Sequence, residues 1–288
     1  MRTVLVTGAN GQLGSRLMEN PGQSDLRIVG FDRDELDITA PQSIADALRT
    51  HRPDVVINAA AYTAVDRAEE EPEPAHAINA LGPRLLAEAC AEHDIDLIHI
   101  STDYVFDGTQ NRPYVPSDGP NPKGVYADSK RAGELAVAAT PGCRWWVVRV
   151  AWLCDTRGQN FMQTMLRLGK SGKALRVVND QHGVPTYARP FAEALLKLAA
   201  HPDLVPAGIW HYGPEGPTTW YGFAQAIFDG HGMDVELSPC TTADYPTPAE
   251  RPAYSYLDGK AFAEALQLPY VHWKEALRHE IERGKTPI

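Results

Sequence analysis

TGANGQLG, Thr7 to Gly14, decides how this chain is read. It follows a short β-branched run, Thr3–Thr7 (TVLVT), and leads into a helical pattern at Leu13–Glu19. Gly8, Gly11 and Gly14 fall three residues apart. Glycines so placed permit a tight turn and a close backbone approach, and the start of the helix faces its N–H groups toward a pyrophosphate. Asp32 stands just after the next apolar run, Arg27–Phe31, where a carboxylate can hydrogen-bond a ribose diol. A glycine trio alone is an ordinary turn. Strand, glycine turn, helix, strand and acid in that order predict a dinucleotide site. Arg33 suits a 2′-phosphate where Asp32 suits a free diol, so NADP and NAD both stay open. Asp37 and Ile38 either line the adenine, or Asp37 caps the following helix.

Outward from that turn, short apolar runs alternate with helical patterns. Val55–Asn58, Leu97–Ser101 and Trp145–Val150 read as further strands, and Pro41–Arg49, Pro74–His93 and Val125–Ala139 as helices. Strands apolar nearly throughout suit a parallel sheet covered on both faces. The expectation is an α/β chain with a doubly wound parallel-sheet Rossmann fold and a smaller interleaved C-terminal substrate lobe. The nucleotide-binding part is assigned to residues 1–150 and the substrate lobe mainly to 151–288. In the second half, Phe161–Leu168, Phe191–Ala200 and Tyr221–Phe228 read as helices and Gly208–Tyr212 as a strand. After the third strand, the small residues of NAAAYTAVDRAE (Ala60, Ala61, then Tyr62 and Thr63) would let a cofactor lie close, although tight helix packing also favours alanine.

The chain has 288 residues, 43% hydrophobic, and a net charge of −10 from 27 basic and 37 acidic side chains. No basic block offsets that charge, which argues against nucleic acid or an anionic membrane as partner. No apolar run nears the ~20 residues of a membrane helix, and no signal peptide is visible, so a cytoplasmic protein is expected. Cys90, Cys143, Cys154 and Cys240 form no CxxC pair and sit in no zinc-ligand pattern.

The chemistry is expected from VYADSKRAGE, Val125 to Glu134, where Tyr126 and Lys130 are one helical turn apart. A nicotinamide moves a hydride, and ketone reduction also needs a proton at the carbonyl oxygen. A tyrosine does this near neutrality only if its pKa falls well below about 10, and a nearby ammonium provides such a field. Tyr-x-x-x-Lys alone is usually a solvated helix face. Thr102, at the carboxyl end of the fourth strand in ISTDYVFDG, adds a hydroxyl able to hold the carbonyl oxygen.

The blocks GANGQLG, LDIT, DVVINAAAYTAVDRAE, ISTDYVFDG, YADSKRAGE, NDQHGVPTYA and ERPAYSYLD resemble the dTDP-4-dehydrorhamnose reductase family of the extended short-chain dehydrogenase/reductases. The resemblance implies Thr102, Tyr126 and Lys130 as the catalytic set. It implies cofactor contacts at Gly8, Gly11, Gln12, Leu13, Asp32, Arg33, Asp37, Ile38, Ala60, Ala61, Tyr62, Thr63, Tyr126 and Lys130. Thr102, Asp103, Tyr104, Tyr126, Trp152 and Arg251 would meet a dTDP-linked sugar, Arg251 at the diphosphate, with Asn179–Thr186 helping to enclose it. The implied activity is reduction of a 4-keto-6-deoxy sugar nucleotide by NADPH or NADH, in a chain able to form a homodimer. Magnesium is admitted by the resemblance alone, since no ligand set is visible. The alternatives are another sugar-nucleotide 4-ketoreductase, an epimerase, or a non-catalytic nucleotide-binding subunit, which would not need the Tyr–Lys pair. Three positions depart from the family pattern: Ala127, where glycine is usual, Ala151 and Tyr254. Each is expected to bear on substrate fit.

Overall fold

The structure, a computed structural model, describes residues 1–19 and 25–285. Its strands are β1 (Arg2–Thr7), β2 (Leu26–Phe31), β3 (Val55–Asn58), β4 (Asp96–Thr102), β5 (Trp145–Val150), β6 (Leu153–Cys154), β7 (Leu175–Val178), β8 (His182–Gly183), β9 (Thr186–Tyr187), β10 (Gly208–Tyr212), β11 (Thr218–Thr219) and β12 (Leu237–Cys240). Its helices are α1 (Gln12–Met18), α2 (Pro41–His51), α3 (Val65–Ala68), α4 (Pro72–His76), α5 (Gly82–Glu92), α6 (Gly124–Ala138), α7 (Phe161–Gly169), α8 (Ala188–Ala200), α9 (Trp220–Gly230), α10 (Lys260–Ala265) and α11 (Trp273–Lys285).

Six strands form one parallel sheet in the order β10-β5-β4-β3-β1-β2. The strands are apolar because each faces two cores. Val4, Val6, Ile57, Ile98, Trp146 and Val148 pack with Leu13 and Leu17 of α1 and Phe191, Leu195 and Leu198 of α8. Leu5, Val56, Leu97 and Val147 face the other way, onto Ile44 and Leu48 of α2, Leu86 of α5 and Val137 of α6. A period-2 strand between two helical layers therefore has no polar face to show. The chain runs from β1 to β2 on one side and then to β3 on the other. Strand order thus reverses between β1 and β3, and the loops leaving their carboxyl ends flank the crevice.

A third core belongs to the short strands and helices of the second half, with Phe223, Ile227, Leu257, Trp273 and Leu277 among its members. Val105, Phe106 and Tyr114 from the first half are buried in it, just as α8 and β10 from the second half complete the main sheet and its cover. The two-residue strands and the short helix α10 carry no marked sequence pattern; α11 does, with Trp273, Ala276, Leu277 and Ile281 on one buried face, but it was not among the expected helices.

Candidate active site

At the reversal of strand order, the loop after β1 nearly touches the loop after β3. Gly8 takes φ +66, and a β-carbon there would lie 2.9 Å from Cα of Ala60. A β-carbon at Gly14 would meet Gly8 O at 2.1 Å. Both positions thus require glycine for the fold itself. Gly11 differs: a β-carbon there would meet only Gly8 O, at 3.1 Å, and the residue lines a groove of about 390 Å³. The absence of a side chain at Gly11 keeps that groove open to a ligand backbone. Gly8, Gly11, Asp32, Arg33, Asp37, Ile38, Ala60, Ala61, Tyr62 and Thr63 all line it, and so do Leu36, Ala59 and Ile78. Its size suits part of a dinucleotide. Asp32 accepts hydrogen bonds from the Asn10 amide and, at 2.5 Å, from Arg33 N–H, which fixes its carboxylate at the groove wall. Asp37 does not cap α2. Its Oδ1 accepts from Thr39 N–H at 2.8 Å and from the Thr39 hydroxyl at 2.7 Å, and these bonds hold its pKa below the usual range.

Gln12 and Leu13 are placed differently. The Gln12 side chain donates to Leu153 O at 2.9 Å and accepts from Asn160 at 3.0 Å, tying α1 to the second half. Leu13 is in the core.

Thr102, Asp103, Tyr104, Tyr126 and Lys130 come together where β4 ends against α6. Lys130 is buried, and its Nζ donates to Ile100 O at 2.6 Å. Burial lowers its pKa to about 8, against the pull of the Glu134 charge. Tyr126 runs opposite to the sequence expectation. Burial pushes the phenol up to about 12; a hydrogen bond with Thr102 opposes the rise and the Asp103 charge adds to it. The Lys130 ammonium is turned to a backbone carbonyl, so the resting protein keeps Tyr126 protonated. The Thr102 hydroxyl donates to Asp103 Oδ1 at 3.0 Å and accepts from Tyr104 N–H at 3.2 Å. Burial raises Asp103 to about 6, against hydrogen bonds from Ser255 and Thr102. The Tyr104 ring meets Tyr126 edge-on, with centroids 5.6 Å apart.

Several residues that motif reading did not single out hold this arrangement. Glu69 Oε1 accepts Val125 N–H at 2.9 Å and so caps α6 from a distant loop. A β-carbon at Gly124 would lie 2.5 Å from that oxygen. Asn79 receives Tyr62 N–H at 2.9 Å and donates to Ser129 at 3.0 Å, joining the loop after β3 to α6. Beneath the site, Glu134 accepts from Ser101 at 2.6 Å and from Arg149 Nε and Nη2 at 2.7 Å each. Arg149 also reaches His211 Nε2 at 3.4 Å, while His211 Nδ1–H donates to Tyr114 O at 3.0 Å. Burial drops His211 to about 3, so it stays neutral, as those partners require. Glu134 closes the quoted YADSKRAGE motif and Ser101 lies in ISTDYVFDG, so the motifs contained parts of this network without marking them.

Among the residues expected to meet a sugar nucleotide, Trp152 adopts φ +46 and stacks on Trp220 with centroids 3.6 Å apart. Gly183 makes room for it, since a β-carbon there would fall 2.5 Å from the indole. Arg251 pairs with Asp66 at 2.8 Å and lies over the Tyr104 ring, 5.9 Å from its centroid. Tyr254 sits beside His182 and Tyr114. Ala127 and Ala151 are fully buried. Among the described residues, no three His, Cys, Asp or Glu side chains converge to hold a metal ion. Also among them, no helix is long and apolar enough to cross a membrane.

The family model described as RmlD substrate binding domain matches residues 1–285. The dTDP-4-dehydrorhamnose reductase of Streptomyces griseus is 42% identical, with 95% of this chain and 91% of that one covered. A probable dTDP-4,6-dihydroxy-2-methyloxan-3-one 4-ketoreductase of Streptomyces antibioticus is 39% identical over 95% of this chain and 92% of its own. The crystal structure of dTDP-4-dehydrorhamnose reductase from Bacillus anthracis in complex with NADP superposes with a TM-score of 0.92 at 35% identity, covering 98% of this chain and 99% of that one. Doubly wound sheet, glycine groove and the Thr–Tyr–Lys cluster thus occur here in a chain that belongs to the dTDP-4-dehydrorhamnose reductase family.

Proposed function

We propose that this chain reduces the keto group of a 4-keto-6-deoxy sugar nucleotide, converting dTDP-4-dehydro-L-rhamnose to dTDP-L-rhamnose with NADPH or NADH. The observation that carries the reading is the meeting of Thr102, Tyr126 and Lys130 at the end of β4, in a chain whose glycine groove opens on the same sheet edge. A bound nicotinamide supplies the hydride. The protein supplies the rest: Tyr126, held protonated, donates to the carbonyl oxygen, and Thr102 orients that oxygen through its hydroxyl. Lys130 keeps a cation one turn away, where the phenolate left behind needs it. Asp32 faces the ribose and Arg33 stands ready for a 2′-phosphate, so both cofactors belong to the reading. The B. anthracis relative is an NADP complex, which favours NADPH. Asp103, Tyr104, Trp152 and Arg251 form the sugar-nucleotide side, on a lobe drawn mainly from residues 151–288 with Val105, Phe106 and Tyr114 buried in its core. A cytoplasmic location goes with this reading.

A coupled assay tests it. Purified protein with dTDP-4-keto-6-deoxy-L-mannose is expected to oxidise NADPH or NADH stoichiometrically, and no oxidation with either would end the proposal. The name of the S. antibioticus relative favours a second reading, a 4-ketoreductase for another dTDP-deoxysugar. A substrate panel in the same assay separates the two by kcat/KM.

A further inference from the structure

Asp66 was no part of the predicted site. It follows the cofactor-groove residues Tyr62 and Thr63 on α3, yet both its oxygens reach across to the second half of the chain. Oδ1 accepts Ala249 N–H at 3.2 Å and Oδ2 pairs with Arg251 Nη2 at 2.8 Å. These contacts tie a strap, residues 247–253, to α3, with Glu250 and Pro252 lying beside Tyr104. Beyond Pro252 the strap is fixed by other means: His182 N–H donates to Ala253 O at 2.8 Å, and Ser255 N–H to His182 O at 2.7 Å. Pro252 also packs so tightly on Gly108 that a β-carbon there would lie 2.8 Å from its Cα. On the near side, the long-range bonds of the strap run to Asp66. Between the two anchors, Arg251 lies over Tyr104, whose edge meets Tyr126.

We propose that Asp66 is a positioning residue: it seats the strap and orients the Arg251 guanidinium over Tyr104 to receive the diphosphate of the sugar nucleotide. This rests on the reductase reading for the identity of the substrate. A guanidinium has five N–H donors in a fixed fork, so Arg251 can keep Asp66 and still bind phosphate oxygens. The Asp66 side chain is 42% exposed, and an ion pair so exposed adds little to stability. Its effect therefore belongs to binding. It also links the cofactor loop physically to the substrate strap.

Calorimetric binding of dTDP to the cofactor-loaded enzyme is the direct test, with steady-state kinetics beside it. Asp66→Asn is expected to weaken dTDP about tenfold and raise KM to match, with kcat changed by less than about threefold and the melting midpoint unmoved. Arg251→Gln should weaken dTDP at least as much. Asp66→Asn should then cost nothing further in the Arg251→Gln background, because it acts through that arginine. Equal dTDP affinity in Asp66→Asn and wild type would overturn the proposal, and so would an undiminished second loss in the double variant. The reductase reading fails separately. Absent turnover with intact, Asp66-dependent dTDP binding would refute the reductase and keep the strap.

Discussion

Tyr126 and Lys130 were legible as a pair from four-residue spacing, but their protonation was not. The sequence expectation had the ammonium lowering the phenol. In the folded chain Lys130 donates to Ile100 O, and burial governs both groups, lifting Tyr126 to about 12 and lowering Lys130 to about 8. Burial and a partner from another strand are tertiary facts that no local motif carries. The consequence is testable. kcat/KM reports the ionisation of the free enzyme, so reduction should fall as pH rises through about 8 and Lys130 loses its proton. Stability should move the other way. Between that pH and the unfolded lysine value near 10.4, the unfolded chain holds the proton and the native one does not, so this group makes folding more favourable as pH rises. Lys130→Met should therefore be more stable than wild type below pH 8, with the advantage shrinking toward pH 10 in urea titrations. An advantage that grows with pH would contradict the assignment. Tyr126→Phe should keep cofactor binding while losing about a hundredfold or more in turnover, and full turnover would remove Tyr126 as the proton donor.

Among the elements, the strands of the main sheet were read almost to the residue because burial on both faces leaves an unbroken apolar run. The helix read at Pro74–His93 is three pieces: α4, a π-helical segment at Ala77–Leu81, and α5. Pro83 has no N–H to give to Asn79 O four residues earlier, so the helix widens there. That same Asn79 carbonyl faces Gly133 of α6, where a β-carbon would lie 2.1 Å from it. A sequence shows Pro83 and Gly133 as separate helix oddities, and only their contact gives them meaning. Helix α6, which carries Tyr126 and Lys130, is held to β4 and β5 by Ser101, Glu134 and Arg149. Glu134 and Arg149 are both buried, so removing one partner's charge strands the other. Glu134→Gln is expected to cost about 3–5 kcal/mol in urea unfolding at unchanged m-value, with kcat falling as α6 loses its seat. A loss under about 1 kcal/mol would mean that the pair does not anchor the helix.

For the whole molecule, linear order divides the chain near Val150, but packing does not follow that line. One face of the sheet is covered by α1 and by α8 from the second half, and β10 adds an edge beside β5. In return Phe106 and Tyr114 sit in the core of the second half, stacked at 4.1 Å. The buried pair Arg16–Asp155 adds a bond between the halves, with Arg16 Nε donating to Asp155 Oδ2 at 2.6 Å. Cutting the chain after Val150 would leave Val4, Val6, Ile57, Trp146 and Val148 without α8. Burying Phe191, Leu195, Leu196 and Leu198 contributes about 1.5–3 kcal/mol each, which together rivals the whole stability of a typical protein, about 5–15 kcal/mol. A fragment of residues 1–150 is therefore expected not to fold, although it contains the glycine turn, Asp32, Thr102, Tyr126 and Lys130. The full chain is expected to unfold in a single step, with tryptophan fluorescence and far-ultraviolet circular dichroism giving coincident transitions. Two separated transitions, or a 1–150 fragment with a cooperative melt and measurable NADPH affinity, would show that the halves are independent after all. Interpenetration at this scale has a mechanistic corollary. The groove and the strap are parts of one cooperative body, so the distance from the glycine turn to Tyr126 is set by the same packing that holds Arg251 over Tyr104.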